Sequence, residues 1–245
     1  GRLFRADLRS ARLRLGLRSG ALPEPDGSLV AISPSLLPRP SDWPATAHIT
    51  GDWHGGSGAV SADPDLQEFL DAEAPFVYAG FGSMIGGDPS ARADAIIDGA
   101  RRAGLRVVMA TGWGGMKPPT RALGPDLFVT ESVPHDTVLR HAVAAIHHGG
   151  AGTTHAVARA GIPSIIVPFL ADQPFWAAQL HRIGIAPAPL HRDRLTSGKI
   201  QSAIAASIDD APKCRVIAEQ MKAEDGTAKA LAAVEASIRA RRGGT

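Results

Sequence analysis

Short apolar runs alternate with stretches of helical periodicity through the middle of the chain. The apolar runs lie at 76–79, 105–110, 127–129, 143–146 and 164–167, and the helical stretches between them lie at 89–103, 135–141, 153–161 and 174–182. Continuous apolar runs joined through helices are typical of buried parallel strands. The pattern therefore predicts an α/β domain, a doubly wound parallel sheet flanked by helices.

The two ends of the chain follow other patterns. Residues 1 to about 20 predict a basic helix, and the proline-rich and glycine-rich stretch from 21 to about 62 predicts an irregular connector between domains. After about residue 190 the chain is predicted to be helical, with Ile200, Ile204 and Ile208 on one face. We predict three parts: an N-terminal domain tail and linker at 1–60, the α/β domain at 61–225, and a C-terminal helix at 226–245.

Composition narrows the functional classes. With 44% hydrophobic and 20% charged residues, the chain matches an ordinary globular protein. A net charge of +2 is too small to indicate nucleic-acid binding, and we interpret the N-terminal arginines as a solvated helix face over partly packed leucines rather than a membrane contact. Cys214 is the only cysteine, so no intrachain disulfide can form, and we expect a reducing, cytoplasmic location.

The first loop of interest follows the first predicted strand. Ligands of open parallel sheets bind beyond the carboxyl ends of the strands. Here the segment Gly80-Phe81-Gly82-Ser83-Met84 lacks the third glycine of the dinucleotide fingerprint, and the chain has no lysine-containing phosphate loop. Its glycines and Ser83 can still offer N–H groups and a hydroxyl to a phosphate. A plain tight turn is the alternative, and the residues alone leave both open.

The loop after the fourth predicted strand has the composition of an anion site. His147-His148-Gly149-Gly150-Ala151-Gly152-Thr153-Thr154 leads directly into a helix. Small residues let a diphosphate approach the backbone, while the helix N-terminus supplies unpaired N–H groups and partial positive charge. His148 can donate a hydrogen bond to a phosphoryl oxygen. We therefore interpret this loop as functional rather than structural.

Two further loops carry candidate ligands. Asp172 and Gln173, after the fifth predicted strand, can together accept and donate the hydrogen bonds of sugar hydroxyls, although Asp172 is also a plausible helix N-cap. They follow His148 by one helix and one strand, so both loops emerge at one sheet edge. After the third strand, the backbone of Val133 can meet the edge of a base and His135 can pack on its ring. A cap for the following helix is the alternative there.

These strings together resemble the donor-site signature of the UDP-glycosyltransferase family, glycosyltransferase family 1 with the GT-B fold. Residues 148–154 followed by 172–173 are most similar to the branch of sterol glucosyltransferase-like and antibiotic glycosyltransferases. Residues 80–84 and 133–135 fall where that branch places its other donor contacts, and the connector around 33–44 also resembles it. The likeness covers most of the chain.

The resemblance implies two Rossmann-like domains, of which 61–225 is the C-terminal domain that binds a UDP- or dTDP-sugar. It places the diphosphate at Ser83, His148, Gly150, Gly152 and Thr153, the base at Val133 and His135, and the donor sugar at Asp172 and Gln173. No metal or cofactor is expected, because the helix terminus and His148 supply the charge stabilisation.

Two departures from the plant branch of the family concern the nucleoside. Ala156 stands where that branch has an acidic ribose ligand, eight positions after His148, so dTDP stays open beside UDP. Ser132 stands where that branch stacks the base on a tryptophan. Trp113 is a candidate to line the site instead, with simple packing as the alternative.

The implied reaction transfers a hexose to a hydroxyl of a lipophilic or natural-product acceptor with inversion, which needs a general base. The family places that base and the acceptor pocket in the N-terminal domain, and nothing before residue 60 has a βαβ pattern. We therefore assign no catalytic residue and expect this chain alone to be inactive, with an N-terminal acceptor domain as its partner. The alternative function is a non-catalytic donor-binding module that works with a separate acceptor domain. A nucleotide-sugar 2-epimerase is disfavoured by Asp172-Gln173 beside the glycine-rich motif.

Overall fold

The computed structural model describes residues 5–16, 25–55, 63–84, 86–118 and 124–243. The strands are β1 (Ser28–Val30), β2 (Ala47–Ile49), β3 (Phe76–Gly80), β4 (Arg106–Ala110), β5 (Leu127–Thr130), β6 (Ala144–His147) and β7 (Ser164–Ile166). The α-helices are α1 (Arg5–Arg14), α2 (Pro64–Asp71), α3 (Pro89–Arg102), α4 (His135–Val138), α5 (Ala151–Ala160), α6 (Gln173–Arg182), α7 (Ser197–Ile208), α8 (Ala211–Lys222) and α9 (Gly226–Gly243). Short 3₁₀ turns lie at Leu139–His141 and Arg192–Arg194.

The main sheet has the order β5-β4-β3-β6-β7, and every neighbouring pair is parallel. This confirms the predicted fold class and the five predicted strands. The central strand β3 is buried along its whole length because helices cover both faces, and successive side chains alternate between them: Val77 joins the core under α3 and α7, and Tyr78 the core beside α5. The connections change direction between β3 and β6, so the loops after these strands diverge and leave a crevice.

The connector is more ordered than the prediction of an irregular segment. β1 and β2 form a small parallel pair, and Leu36 is fully buried in a cluster with Trp176 and Ile217. Three-residue strands between prolines give too short a pattern to predict from sequence. Within 25–55, the connector therefore packs against the α/β domain; residues 56–62 lie outside the described part.

Both helical ends of the predicted pattern are present, and one expectation about them needs correction. The basic N-terminal helix is present as α1, but Leu13 and Leu15 are exposed, so the expectation that they pack beneath the arginines is wrong. Leu3 and Leu17 lie outside the described residues. In α7, two of the three isoleucines predicted to share a face, Ile200 and Ile204, are buried, whereas Ile208, the last residue of the helix, is 68% exposed. Among the described residues, no helix is both long and apolar enough to cross a membrane.

Candidate functional site

A cavity of about 190 Å³ opens at the carboxyl edge of the main sheet. It is bounded by the loops after β3, β4 and β5 and by the first turn of α5. Its lining residues are Tyr78, Gly80, Gly82, Ala110, Gly112, Glu131, Ser132, Val133, His135 and Thr153. The structure thus brings together three residues from two separate predictions, namely Val133 and His135 with Thr153.

His135 is held by a residue that the sequence analysis missed. The Tyr78 hydroxyl lies 3.1 Å from Nε2 of His135, and the two rings meet edge to face. Burial raises the pKa of Tyr78 to about 12 and lowers the pKa of His135, so both groups are neutral near pH 7. The His135 side chain makes no capping bond to α4, but the Pro134 carbonyl accepts the N–H groups of Thr137 and Val138, so the loop also starts this helix, as the alternative had it. Tyr78 shares a strand face with Gly80, two residues on, and that spacing was an available signal.

The turn after β6 is shaped by His147. Its Nδ1 accepts a hydrogen bond from the Gly149 N–H at 3.1 Å, and Gly149 has a φ of +87° that favours glycine. A Cβ on Gly149 would also lie 2.8 Å from Cγ2 of Ile166. Burial lowers the pKa of His147 to about 3, so the fully buried ring is neutral and positions the backbone of the turn through its bond to Gly149.

The first turn of α5 presents unoccupied donors. Gly150 occupies the N-cap position and supplies no side-chain capping bond, so the N–H groups of Ala151, Gly152 and Thr153 have no such partner. A Cβ built on Gly152 would meet no atom of the described residues within 4 Å. Packing within the chain therefore does not explain the glycine at this position, whereas the approach of an anion would.

His148 lies between this helix terminus and the turn after β3. A Cβ on Gly150 would overlap its ring, and a Cβ on Gly82 would lie 3.9 Å from its Cε1. Its Nδ1 is buried without a hydrogen-bond partner among the described residues. Burial lowers the pKa of His148, while the Asp172 carboxylate and the Gly80 backbone oppose that shift. The ring is thus a neutral donor or acceptor with an unsatisfied nitrogen.

The turn after β3 is a tight turn and also exposes its serine. The Met84 N–H donates to the Phe81 carbonyl at 3.0 Å, and Gly82 has a φ of +55°. Ser83 is exposed and makes no hydrogen bond to another described residue. The geometry of this loop is therefore compatible both with a plain tight turn and with a phosphate-binding loop, and the predicted phosphate contact of Ser83 stays a prediction.

In the loop after β7, the two residues predicted to bind the sugar, Asp172 and Gln173, have different surroundings. Asp172 occupies the N-cap position of α6, as the alternative had it, but its side chain makes no capping bond; its Oδ2 accepts the Trp176 indole N–H at 3.1 Å, and the residue is exposed. Gln173 is buried, and its Oε1 accepts the N–H groups of Phe169 and Leu170 at 2.7 and 3.1 Å. Its Nε2 lies 3.0 Å from the Met84 sulfur. Gln173 thus braces the loop, and its role toward a sugar stays a prediction.

Three of these loops are joined by Arg92, a buried residue of α3. Its guanidinium donates to the carbonyls of Gly86 and Gly115 and lies 4.8 Å from the ring centroid of Phe169 and 5.4 Å from that of Phe81. Arginine satisfies several acceptors in one plane and stacks on rings, which suits this place. An arginine within a helix gives no sequence signal for such a role, so the analysis missed it.

Trp113 follows cavity-lining Gly112. Its side chain is 81% exposed and therefore does not pack against the described residues. Its predicted place in the lining of the site stays a prediction.

Comparisons with known proteins bear on this geometry. Residues 103–236 match the family described as Erythromycin biosynthesis protein CIII-like, C-terminal domain. The chain is 35% identical over 207 residues to the sterol 3-beta-glucosyltransferase UGT80A2 of Arabidopsis thaliana, covering 82% of this chain and 32% of that protein. It is 33% identical over 221 residues to the O-mycaminosyltylonolide 6-deoxyallosyltransferase of Streptomyces fradiae, covering 87% of this chain and 50% of that protein.

Solved structures share the fold at low identity. The glycotransferase of kitacinnamycin superposes with a TM-score of 0.70 at 21% identity, over 87% of this chain and 55% of that one. CalG4, the calicheamicin glycosyltransferase, gives 0.61 at 20% identity, over 97% and 60%. The chain therefore spans between about a third and three fifths of the length of these proteins.

Proposed function

Because the chain belongs to the Erythromycin biosynthesis protein CIII-like C-terminal domain family, the donor-binding domain of family 1 glycosyltransferases, we propose that it binds a UDP- or dTDP-hexose for inverting transfer to a hydroxyl of a lipophilic or natural-product acceptor. Family membership supports the assignment of the chain as a donor-binding domain. The nucleotide, the sugar, the acceptor and the stereochemistry are the proposal.

One observation carries the proposal: a histidine ring and an uncapped helix terminus meet at a sheet edge. The His148 ring lies against Gly150, the N-cap of α5, where a Cβ would come within 2.5 Å of its Nε2, and the first turn of α5 offers N–H groups beside the open space at Gly152. Groups of this kind bind phosphates and stabilise negative charge that develops on a leaving group. A diphosphate placed here is therefore stabilised most as the sugar departs.

Groups next to the proposed diphosphate site are placed to bind the base and the sugar of the donor. The cavity lined by Val133 and His135 has the place and size for a base ring, and the exposed Asp172, whose carboxylate acts electrostatically on His148, stands beside the proposed diphosphate site, where sugar hydroxyls would lie. Tyr78 fixes the tilt of His135. We assign no general base to the described residues, because the proposed site among them holds the donor and defines no acceptor pocket.

A second function uses the same site without chemistry in this chain. All the groups argued for donor binding lie between residues 78 and 173 at one sheet edge, so this chain can hold a nucleotide sugar for a separate acceptor-binding partner. Turnover by the chain alone, assayed with a nucleotide sugar and a panel of hydrophobic alcohols, decides between the two. Product formation contradicts the module.

The donor proposal is tested by calorimetric titration of UDP, dTDP, GDP and their glucose conjugates into the 245-residue chain. We expect saturable binding of UDP or dTDP, and a loss on the order of 10-fold, about 1.4 kcal/mol, in His148→Ala. His191→Ala is a matched control, because His191 is an exposed histidine outside the cavity. Binding that is indifferent to His148→Ala, or no binding of any nucleotide, refutes the proposed site.

A further inference from the structure

A buried histidine joins the connector to the helix that begins the proposed diphosphate site. Nε2 of His155 accepts the backbone N–H of Ser33 at 3.1 Å, so the proton is on Nδ1, which donates to the Ala151 carbonyl at 2.7 Å. Both bonds require the neutral ring, and burial lowers the pKa of His155 accordingly. Because Ala151 is the first residue of α5, the connector and the first turn of that helix share one side chain.

The His155 ring is also linked, through Trp176, to Asp172, the residue proposed to bind the sugar. His155 meets the buried Trp176 edge to face, with ring centroids 5.3 Å apart. The Trp176 indole N–H donates to Oδ2 of Asp172 at 3.1 Å. One oxygen of that carboxylate is thereby fixed, while Oδ1 makes no hydrogen bond to another described residue, and the backbone before it, at Ala171, has a φ of +58° that is rare for a residue with a side chain.

The connector itself is anchored at this point. The hydroxyls of Ser33 and Ser35 donate to Oε1 of Glu224 at 2.8 and 2.6 Å. Leu36 is fully buried beside Trp176, and its carbonyl accepts the Gln179 side-chain amide at 2.6 Å. The connector thus contacts both elements that lead to the donor site, α5 through His155 and α6 through Leu36.

We propose that His155 and Trp176 are positioning residues, through which the seated connector orients the first turn of α5 and the Asp172 carboxylate for the donor. The inference rests on the proposed function, since it concerns how tightly the sugar part of a nucleotide sugar is held. Neither residue touches the donor: His155 acts through the Ala151 carbonyl and Trp176 acts through Asp172.

Trp176→Phe removes the indole N–H and keeps a ring beside His155. The test measures the dissociation constants of UDP and UDP-glucose for the 245-residue chain, or of the thymidine pair if that nucleotide binds. We expect UDP to bind within about 2-fold of the parent and UDP-glucose to bind roughly 10-fold more weakly. Trp53→Phe is the matched control, because its indole N–H donates to Thr50 at 2.8 Å in the connector, remote from Asp172 in the chain.

A double-mutant cycle separates positioning from mere packing. If Trp176 acts through Asp172, Trp176→Phe has no further effect on UDP-glucose affinity once Asp172→Ala has removed the carboxylate. His155→Leu, which removes both of its hydrogen bonds, is expected to weaken UDP itself several-fold, and His155→Gln, which can still accept from Ser33, is expected to restore part of that loss.

The outcomes distinguish this inference from the proposed function. If the parent chain binds UDP-glucose but Trp176→Phe lowers only the melting temperature and leaves the ratio of UDP to UDP-glucose affinity unchanged, the positioning role is overturned and the donor site stands. Additive effects in the cycle overturn it equally. If the parent chain binds no nucleotide sugar, the proposed function and this inference fall together.

Discussion

Replacing Gly152 with alanine should make the protein slightly more stable and a worse donor binder. Gly152 is the second residue of α5, and a Cβ there meets nothing within 4 Å of the described residues. Alanine loses less conformational freedom than glycine when a helix forms, so the free energy of unfolding should rise by about 0.5 to 1 kcal/mol. For a chain of this length, that raises the melting temperature by roughly 1 to 4 °C.

The expected effect on binding has the opposite sign. The added methyl group occupies the open space where the proposal places a phosphoryl oxygen, so at least one charge-assisted hydrogen bond to the helix terminus is lengthened or lost. Such a bond contributes roughly 1.5 to 3 kcal/mol, which corresponds to about 10-fold to 100-fold in the dissociation constant of UDP. Calorimetric titration and thermal unfolding of the same preparation measure both quantities.

Gly198→Ala supplies the matched control. Gly198 is also the second residue of its helix, α7, and a Cβ there likewise meets nothing within 4 Å. It should gain the same stability and bind the donor unchanged. Equal UDP affinities of Gly152→Ala, Gly198→Ala and the parent would refute the placement of a diphosphate over the first turn of α5.

Two other predictions follow from groups at and away from the site. Burial keeps the pKa of His148 below its ordinary value, so the free ring is neutral at pH 7 and favours protonation beside a bound diphosphate. UDP-glucose, whose diphosphate does not titrate near neutrality, should bind more tightly as the pH falls from about 7 to about 5.5, and His148→Gln should flatten the profile; a flat parent profile contradicts this role. Gly99→Ala places a Cβ 2.5 Å from Cβ of Ile200 where α3 packs on α7, so it should lower the free energy of unfolding by roughly 1 to 3 kcal/mol in urea titrations, with UDP affinity retained.

The sheet was predictable because its signal is redundant. Four of the five apolar runs are four to six residues long, and helical stretches separate most of them, so small errors at the ends change nothing in the topology. Strands β1 and β2 were not predictable, since three residues each give no period and their pairing depends on how the connector folds back on α5 and α8. The helical period places Ile208 on a face with Ile200 and Ile204 but does not give its exposure, which is 68% at the last residue of α7.

At the site, loop sequence indicated where the ligands gather but not what holds them. Glycines, His148 and Asp172 follow strand ends, and position alone brings them to one edge. Tyr78 and Arg92 escaped notice because one lies inside a strand and the other on a helix, and their roles come from contacts between residues far apart in sequence. Gln173 has a bracing role, shown by its burial and hydrogen bonds, that no sequence pattern distinguishes, while its contact with a sugar stays a prediction.

The Arg92 contacts have a consequence for exchanging parts between related proteins. The Arg92 guanidinium donates hydrogen bonds to carbonyls in the loops after β3 and β4 and stacks on the ring of Phe169, which precedes Asp172. These three segments are therefore held by one side chain of α3. A chimera in which only one of these loops is exchanged to change donor preference combines Arg92 with a loop from another protein. A chimera in which residues 81 to 115 are exchanged as a block keeps the arginine together with both carbonyls to which it donates. Even lysine is a poor substitute, because it lacks the planar fork. Donor preference in this scaffold is therefore expected to recombine by blocks rather than by single loops.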